Sequence, residues 1–209
     1  MTERARHFSL LREFTAADLL TRGNAAAGMA SILSCLEYAA DGATATLWWA
    51  VGLLPLSFLF DALDGWVARK TGHASRFGAD LDSLADIVSF GVAPAVLAWS
   101  CGMRTGLDAV VLVYFVCCGI SRLARFNVTA AALADAATGK VKYFEGTPIP
   151  SSLVLVAVLA AALGQGAIGP QLWGGRLDIA DGLALHPLVL AFAVSGSAMI
   201  SGTLRVPKP

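Results

Sequence analysis

Apolar residues dominate this chain in long runs broken by short polar connections. Six runs approach the ~20 residues that cross a bilayer as a helix. They span roughly 24–40, 45–67, 84–102, 107–123, 149–168 and 183–200. Ahead of them, Phe8, Leu10, Leu11, Phe14, Leu19 and Leu20 recur at helical spacing among charged neighbours. That spacing predicts an amphipathic helix over the first twenty residues, lying on a membrane surface. The expected fold is an all-α integral membrane protein with six transmembrane helices behind an interfacial N-terminal helix. Pro94 is expected to kink the third span. Residues 127–147 form the longest polar connection, with a short helix expected near Ala130–Ala137. The Gly-rich stretch 169–182 reads as an outer loop.

Composition agrees with this reading. Of 209 residues, 56% are hydrophobic and 14% charged, where a soluble domain carries about a quarter charged. Mean hydropathy is +0.68. One domain, 1–209, is expected: the N-terminal segment 1–20, a motif-bearing half 21–127, and a second half 128–209 with the last two spans. Net charge is zero, so nothing points to nucleic acid. Cys35, Cys101, Cys117 and Cys118 lack metal-ligand spacing and read as small apolar residues.

The distribution of charge is more telling than its sum. Arg4, Arg6, Arg12 and Arg22 precede the first span. Arg69, Lys70 and Arg76 join the second to the third. Arg122, Arg125, Lys140 and Lys142 follow the fourth, and Arg205 and Lys208 end the chain. Only Arg104 and Arg176 fall on the other side. The positive-inside rule then places both termini on the cytoplasmic face of the cell membrane.

Four aspartates interrupt the apolar pattern near that face. Asp61 and Asp64, with Gly65 and Ala68, share one face of a helix; Gly78, Asp82 and Asp86 step by four along another. An ionised aspartate deep in a bilayer costs about 3 kcal/mol on insertion scales. Divalent cations are the natural compensators. Four converging carboxylates suit a two-metal site for phosphoryl chemistry. A cation transporter would instead carry carboxylates near the midplane in both halves, whereas here all four lie at one end of two adjacent spans.

The pattern D-x2-D-G-x2-A-R-x8-G-x3-D-x3-D, from Asp61 to Asp86, resembles the signature of the CDP-alcohol phosphatidyltransferase family at all eight fixed positions. The resemblance implies transfer of a phosphatidyl-type group from a CDP-lipid to an alcohol, with release of CMP. It implies two divalent cations, Mg²⁺ or Mn²⁺. Asp61 and Asp82 would contact both, Asp64 the first and Asp86 the second, with Asp86 also the general base. Gly65, Ala68, Arg69, Ser75, Gly78 and Asn24 match positions that contact the cytidine diphosphate. Relatives form homodimers.

Three further segments, Asp82–Pro94, Gly119–Asn127 and Phe144–Pro150, resemble the phosphatidylserine synthase branch. The implied acceptor is L-serine and the donor CDP-diacylglycerol or an equivalent CDP-lipid; glycerol 3-phosphate or inositol phosphate are alternative acceptors within the same chemistry. Arginine grips a carboxylate with two parallel hydrogen bonds, so Arg122 and Arg125 are candidates for the serine carboxylate. Lys142 and Ser89 are further candidates for the acceptor pocket. His73 and His186 are assigned no catalytic part; Glu37, Asp41 and Asp80 are expected to be solvated.

Overall fold

A computed structural model describes residues 15–71, 76–135, 143–180 and 182–207. It is mostly helical. Helix α1 (Ala16–Asp41) starts at a capping box. Thr15 accepts from the Asp18 backbone N–H, and Asp18 accepts from that of Thr15 at 2.8 Å. It ends where Gly42 turns left-handed, φ 71°, and donates to the Tyr38 carbonyl. The end of the predicted surface helix, from Ala16 on, is thus the first turn of α1. Its earlier part lies outside the described residues.

Helix α2 (Thr44–Thr71) returns alongside α1. Small residues on α1 permit close packing: Ser31 donates to the Ala50 carbonyl at 2.8 Å, and the Phe60 ring covers Gly23. Helix α3 (Arg76–Asp86) then opens the third pass. Directly after Asp86 the backbone widens into a π-helical stretch, Ile87–Val92, before α4 (Ala93–Cys101) resumes. Pro94 sits in the first turn of α4. Proline brings no N–H and crowds the carbonyl four residues back, and the wide turn before it accommodates both. The expected kink is therefore a local π-helix.

Helix α5 (Gly106–Asp135) forms the fourth pass and absorbs most of the short helix expected near Ala130. Strand β1 (Tyr143–Glu145) pairs antiparallel with β4 (Arg205–Pro207). A 3₁₀ turn, Ile149–Ser152, leads into α6 (Leu153–Gly164). The last predicted span begins differently from expectation. Leu183–Leu185 is strand β3, paired with β2 (Leu177–Ala180) from the Gly-rich stretch. A short 3₁₀ turn at Pro187–Val189 then precedes α7 (Leu190–Ile200).

Among the described residues, three helices are long and apolar enough to cross a membrane: Thr44–Thr71, Phe77–Cys101 and Gly106–Val128. The apolar helices Ile149–Gly164 and Pro187–Ile200 are shorter. At 1.5 Å per residue, sixteen residues reach only about 24 Å, short of a 30 Å hydrocarbon core. The third pass is the most enclosed of the three. Phe90, Leu97, Leu54, Phe115 and Phe192 are fully buried around it, while Trp49, Leu59, Val110, Val113 and Val194 point outward, as lipid-facing side chains do.

Candidate active site

The helix directions bring six termini to one end of the bundle. These are the starts of α1, α3 and α6 and the ends of α2, α5 and α7. The aspartates sit there. One oxygen each of Asp61, Asp64 and Asp82 can be chosen so that all lie within 4.8 Å of one another. Asp86, one turn beyond Asp82, contacts Asp61 and lies within electrostatic range of Asp82 and Asp64. Both Asp64 and Asp86 are buried. Two unit charges about 4.8 Å apart repel by about 3–4 kcal/mol at an effective dielectric of 20, so three such pairs call for positive charge between them.

The donor set fits divalent cations. Every candidate ligand is a carboxylate, the oxygen chemistry that Mg²⁺ and Mn²⁺ take. In addition, Oδ1 of Asp82 is buried with no hydrogen-bond partner, and such an atom calls for an occupant.

Helix α1 supplies a layer behind the carboxylates. The Thr21 hydroxyl lies 2.6 Å from Oδ2 of Asp64. Asn24 donates its side-chain amide to Oδ1 of Asp86 at 3.1 Å. Asn24 was expected at the nucleotide; its amide here faces an aspartate. The backbone carbonyl of Asn24 accepts the Ser89 hydroxyl at 2.9 Å, and Ser89 is fully buried. The Ser89 hydroxyl is thereby engaged at the helix crossing. Gly28 makes the crossing possible: a Cβ there would stand 2.8 Å from Cα of Ser89.

The motif's small and basic residues line the same end of α2. Arg69 folds back over Gly65, where a Cβ would lie 3.3 Å from Nη1. Ala68 is partly exposed beside it, and Gly78 is half-buried on α3. Ser75 and His73 lie outside the described residues, as does Lys142.

Two arginines in the second half of α5 differ in setting. The Arg122 guanidinium stands 5.6 Å from the Phe126 ring centre and within electrostatic range of Asp86. Arg125 is exposed and donates to the Ile200 carbonyl at 3.4 Å. Asp80 is exposed, as expected from its place off the stripe, and accepts a long 3.4 Å bond from Asn127. Asn127 also donates to Ser83 at 3.0 Å.

The turn before α6 closes the far wall. Ile149 inserts between Gly91 and Gly119, which locks the turn against the π-helical stretch that follows Asp86. Gly146, φ 76°, donates to the Leu204 carbonyl at 2.8 Å, and the Thr147 N–H reaches the Ala198 carbonyl at 3.2 Å.

Sequence reasoning missed Thr21, the direct partner of Asp64. A signal was present: Thr21, Asn24, Gly28, Ser31 and Cys35 recur at three- and four-residue steps and form the buried face of α1. It also missed His186, which is buried at the opposite end against Asp108.

Comparison with known proteins agrees with this geometry. The profile of the family described as CDP-alcohol phosphatidyltransferase matches residues 14–199. A Saccharomyces cerevisiae protein named CDP-diacylglycerol–serine O-phosphatidyltransferase is 45% identical over 204 residues, covering 97% of this chain and 74% of the yeast protein. The archaetidylserine synthase of Methanothermobacter thermautotrophicus is 42% identical over 143 residues, 67% of this chain and 55% of that protein. A Methanocaldococcus jannaschii protein, also named CDP-diacylglycerol–serine O-phosphatidyltransferase, is 38% identical over 149 residues, 71% of this chain and 62% of its own length. The aligned parts thus span about three quarters of the yeast relative and rather more than half of the two archaeal ones. Taken with its apolar helices and convergent aspartates, the match makes this chain a multi-pass membrane protein that belongs to the CDP-alcohol phosphatidyltransferase family.

Proposed function

We propose that this protein transfers the phosphatidyl group of CDP-diacylglycerol, or of an equivalent CDP-lipid, to the hydroxyl of L-serine, giving phosphatidylserine and CMP. The observation that carries the reading is the convergence of Asp61, Asp64 and Asp82 with Asp86 beside them. The names of the relatives support serine as the acceptor, and those names cover both a diacylglycerol and an archaetidyl lipid.

Asp61, Asp64, Asp82 and Asp86 would hold two divalent cations, Mg²⁺ or Mn²⁺. When bound, these ions supply positive charge for the diphosphate and for CMP as it leaves. Asp61 and Asp82 would serve both ions, and Asp64 and Asp86 one each. Gly65, Ala68 and Gly78 leave space for the cytidine diphosphate, and Ser75 completes its surround. Arg69 donates to phosphate oxygens. Asp86 takes the proton from the serine hydroxyl as its oxygen attacks phosphorus. The new O–P bond forms as the bond to CMP breaks. Arg122 binds the serine carboxylate, with Lys142 as a further acceptor residue; Arg125 is tied to the Ile200 carbonyl and the Ser89 hydroxyl to that of Asn24. The site faces the cytoplasm from the cell membrane in a homodimer whose single domain spans the chain.

The test is CMP release by purified protein given CDP-diacylglycerol, with and without L-serine. Release that depends on serine and on added Mg²⁺ or Mn²⁺ is expected. Equal release with glycerol 3-phosphate or inositol phosphate in place of serine overturns the acceptor assignment.

A further inference from the structure

We propose that α1 is the orienting wall of the carboxylate site, and that its two hydrogen bonds sort the aspartates into two kinds. Thr21 and Asn24 are positioning residues: they fix Asp64 and Asp86 as ligands of one ion each and leave Asp61 and Asp82 free to use both oxygens. The inference rests on the aspartates being a divalent-cation site and goes beyond the reaction assigned to it.

A carboxylate has two oxygens. One that bridges two ions commits an oxygen to each. One that serves a single ion can give its second oxygen to a protein hydrogen bond, which fixes its rotamer. The bonds from α1 divide along that line. Thr21 reaches Oδ2 of Asp64 at 2.6 Å, and Asn24 reaches Oδ1 of Asp86 at 3.1 Å. Among the described residues no α1 side chain donates to Asp61 or Asp82, and Asp82 keeps a buried oxygen without a partner.

The direction of the Thr21 bond follows from its inventory. Its hydroxyl has one hydrogen and two acceptors in reach, Asp64 at 2.6 Å and the Ala17 carbonyl at 3.1 Å. An ionised carboxylate is the stronger acceptor and the closer one, so the hydrogen goes to Asp64. Asn24 is held on two sides. Its amide meets Asp86 while its carbonyl accepts from Ser89, three residues further along the same pass. Thr21 and Asn24 stand three residues apart on one face of α1, so a single rigid helix sets both aspartates at once.

The test needs a readout that does not depend on turnover. Mn²⁺ is titrated into substrate-free protein in detergent micelles and followed by electron paramagnetic resonance. Thr21→Val keeps the shape and removes the donor; it is expected to weaken Mn²⁺ binding by about 10- to 100-fold. Thr21→Ser restores the hydroxyl and should bind within about threefold of wild type, since donors of this kind act through the bond itself. Should the valine variant fail to fold, Thr21→Ala carries the same comparison with Thr21→Ser. Asn24→Ala is expected to lower kcat while KM for serine and for CDP-diacylglycerol stay within about twofold, because it disturbs the orientation of Asp86 and not the pockets. Wild-type Mn²⁺ affinity in a folded Thr21→Val or Thr21→Ala variant overturns the proposal. So does a serine variant as weak as the valine one, or an Asn24→Ala variant changed only in KM. Wild-type protein that binds Mn²⁺ yet releases no CMP with serine overturns the proposed function alone.

Discussion

His186 clasps Asp108 at the end of the bundle opposite the aspartate site. Its backbone N–H donates to Oδ1 at 2.9 Å, and its Nδ1 lies 2.6 Å from Oδ2. With a carboxylate as acceptor, Nδ1 carries the hydrogen. The Thr105 N–H adds a third bond at 2.9 Å, and Asp108 is fully buried. One side chain thus caps α5 and anchors the β2–β3 hairpin ahead of α7.

Removing that carboxylate strands three donors. Each buried unsatisfied group costs about 1–3 kcal/mol, so Asp108→Ala should lose at least about 3 kcal/mol of stability. A drop in Tm of about 6–12 °C is expected on that basis for a chain of this size. The KM values for both substrates should hold, because the clasp lies a bundle length from the aspartates. Thermal unfolding in detergent beside steady-state kinetics checks both halves.

Gly28 should be intolerant for a reason that reaches the site. A Cβ there overlaps Ser89, backbone included, so α1 must move away from the third pass. Overpacking of this kind costs about 1–3 kcal/mol. The same shift lengthens the bond between Asn24 and Asp86. Gly28→Val should therefore lower both Tm and kcat, whereas Gly52→Val, where a Cβ meets nothing within 4 Å, should change neither. Parallel melting curves and CMP-release assays compare the two.

The contrast between those residues shows how far the sequence could be read. Asp61, Asp64, Asp82 and Asp86 stood out because ionised groups are costly in an apolar run, and helical spacing alone put them on two faces that could meet. Thr21 and Asn24 did not stand out: a hydroxyl or amide in a helix has many possible partners, and only the crossing of α1 with the third pass selects Asp64 and Asp86. The π-helical stretch after Asp86 was legible only as a proline kink. The strand at Leu183–Leu185 was hidden inside an apolar run, where a short buried strand and a helix look alike. It resolves as a strand because it has β2 to pair with and a proline, Pro187, just beyond it.

The four aspartates should separate by experiment. Asp86→Asn removes the proposed base and alters one ligand, so transfer should fall below about 1% of wild type; a missing general base costs about 10²- to 10⁴-fold. CDP-diacylglycerol binding should survive. Asp61→Ala and Asp82→Ala each remove a ligand proposed to serve both ions, so metal-dependent binding of the CDP-lipid should vanish. Titration of CDP-diacylglycerol with and without chelator distinguishes these outcomes. Undiminished metal-dependent affinity in the Asp61 or Asp82 variant would refute the bridging role.

Arg122 and Arg125 both lie in the second half of α5, but their surroundings separate them. Arg125 is exposed and spends part of its guanidinium on the Ile200 carbonyl, which ties α5 to the end of α7. Arg122 is half-buried, stacked beside Phe126, and close enough to Asp86 to feel its charge. A serine whose hydroxyl is offered to Asp86 would present its carboxylate a few ångströms away, within reach of Arg122. Lysine at 122 keeps the charge and loses the two-pronged fork. A hydrogen bond to a charged group is worth about 1.5–3 kcal/mol, so Arg122→Lys should raise the KM for L-serine by about 10- to 100-fold. CDP-diacylglycerol affinity should stay near wild type. Arg125→Lys should leave stability near wild type and move serine KM by less than about threefold, since an exposed bond contributes little. Ethanolamine, which lacks the carboxylate, should be affected less than serine by the Arg122 change if it reacts. Steady-state kinetics with both acceptors on both variants decides the matter: an unmoved serine KM in Arg122→Lys removes Arg122 from the acceptor pocket and leaves the carboxylate to another donor.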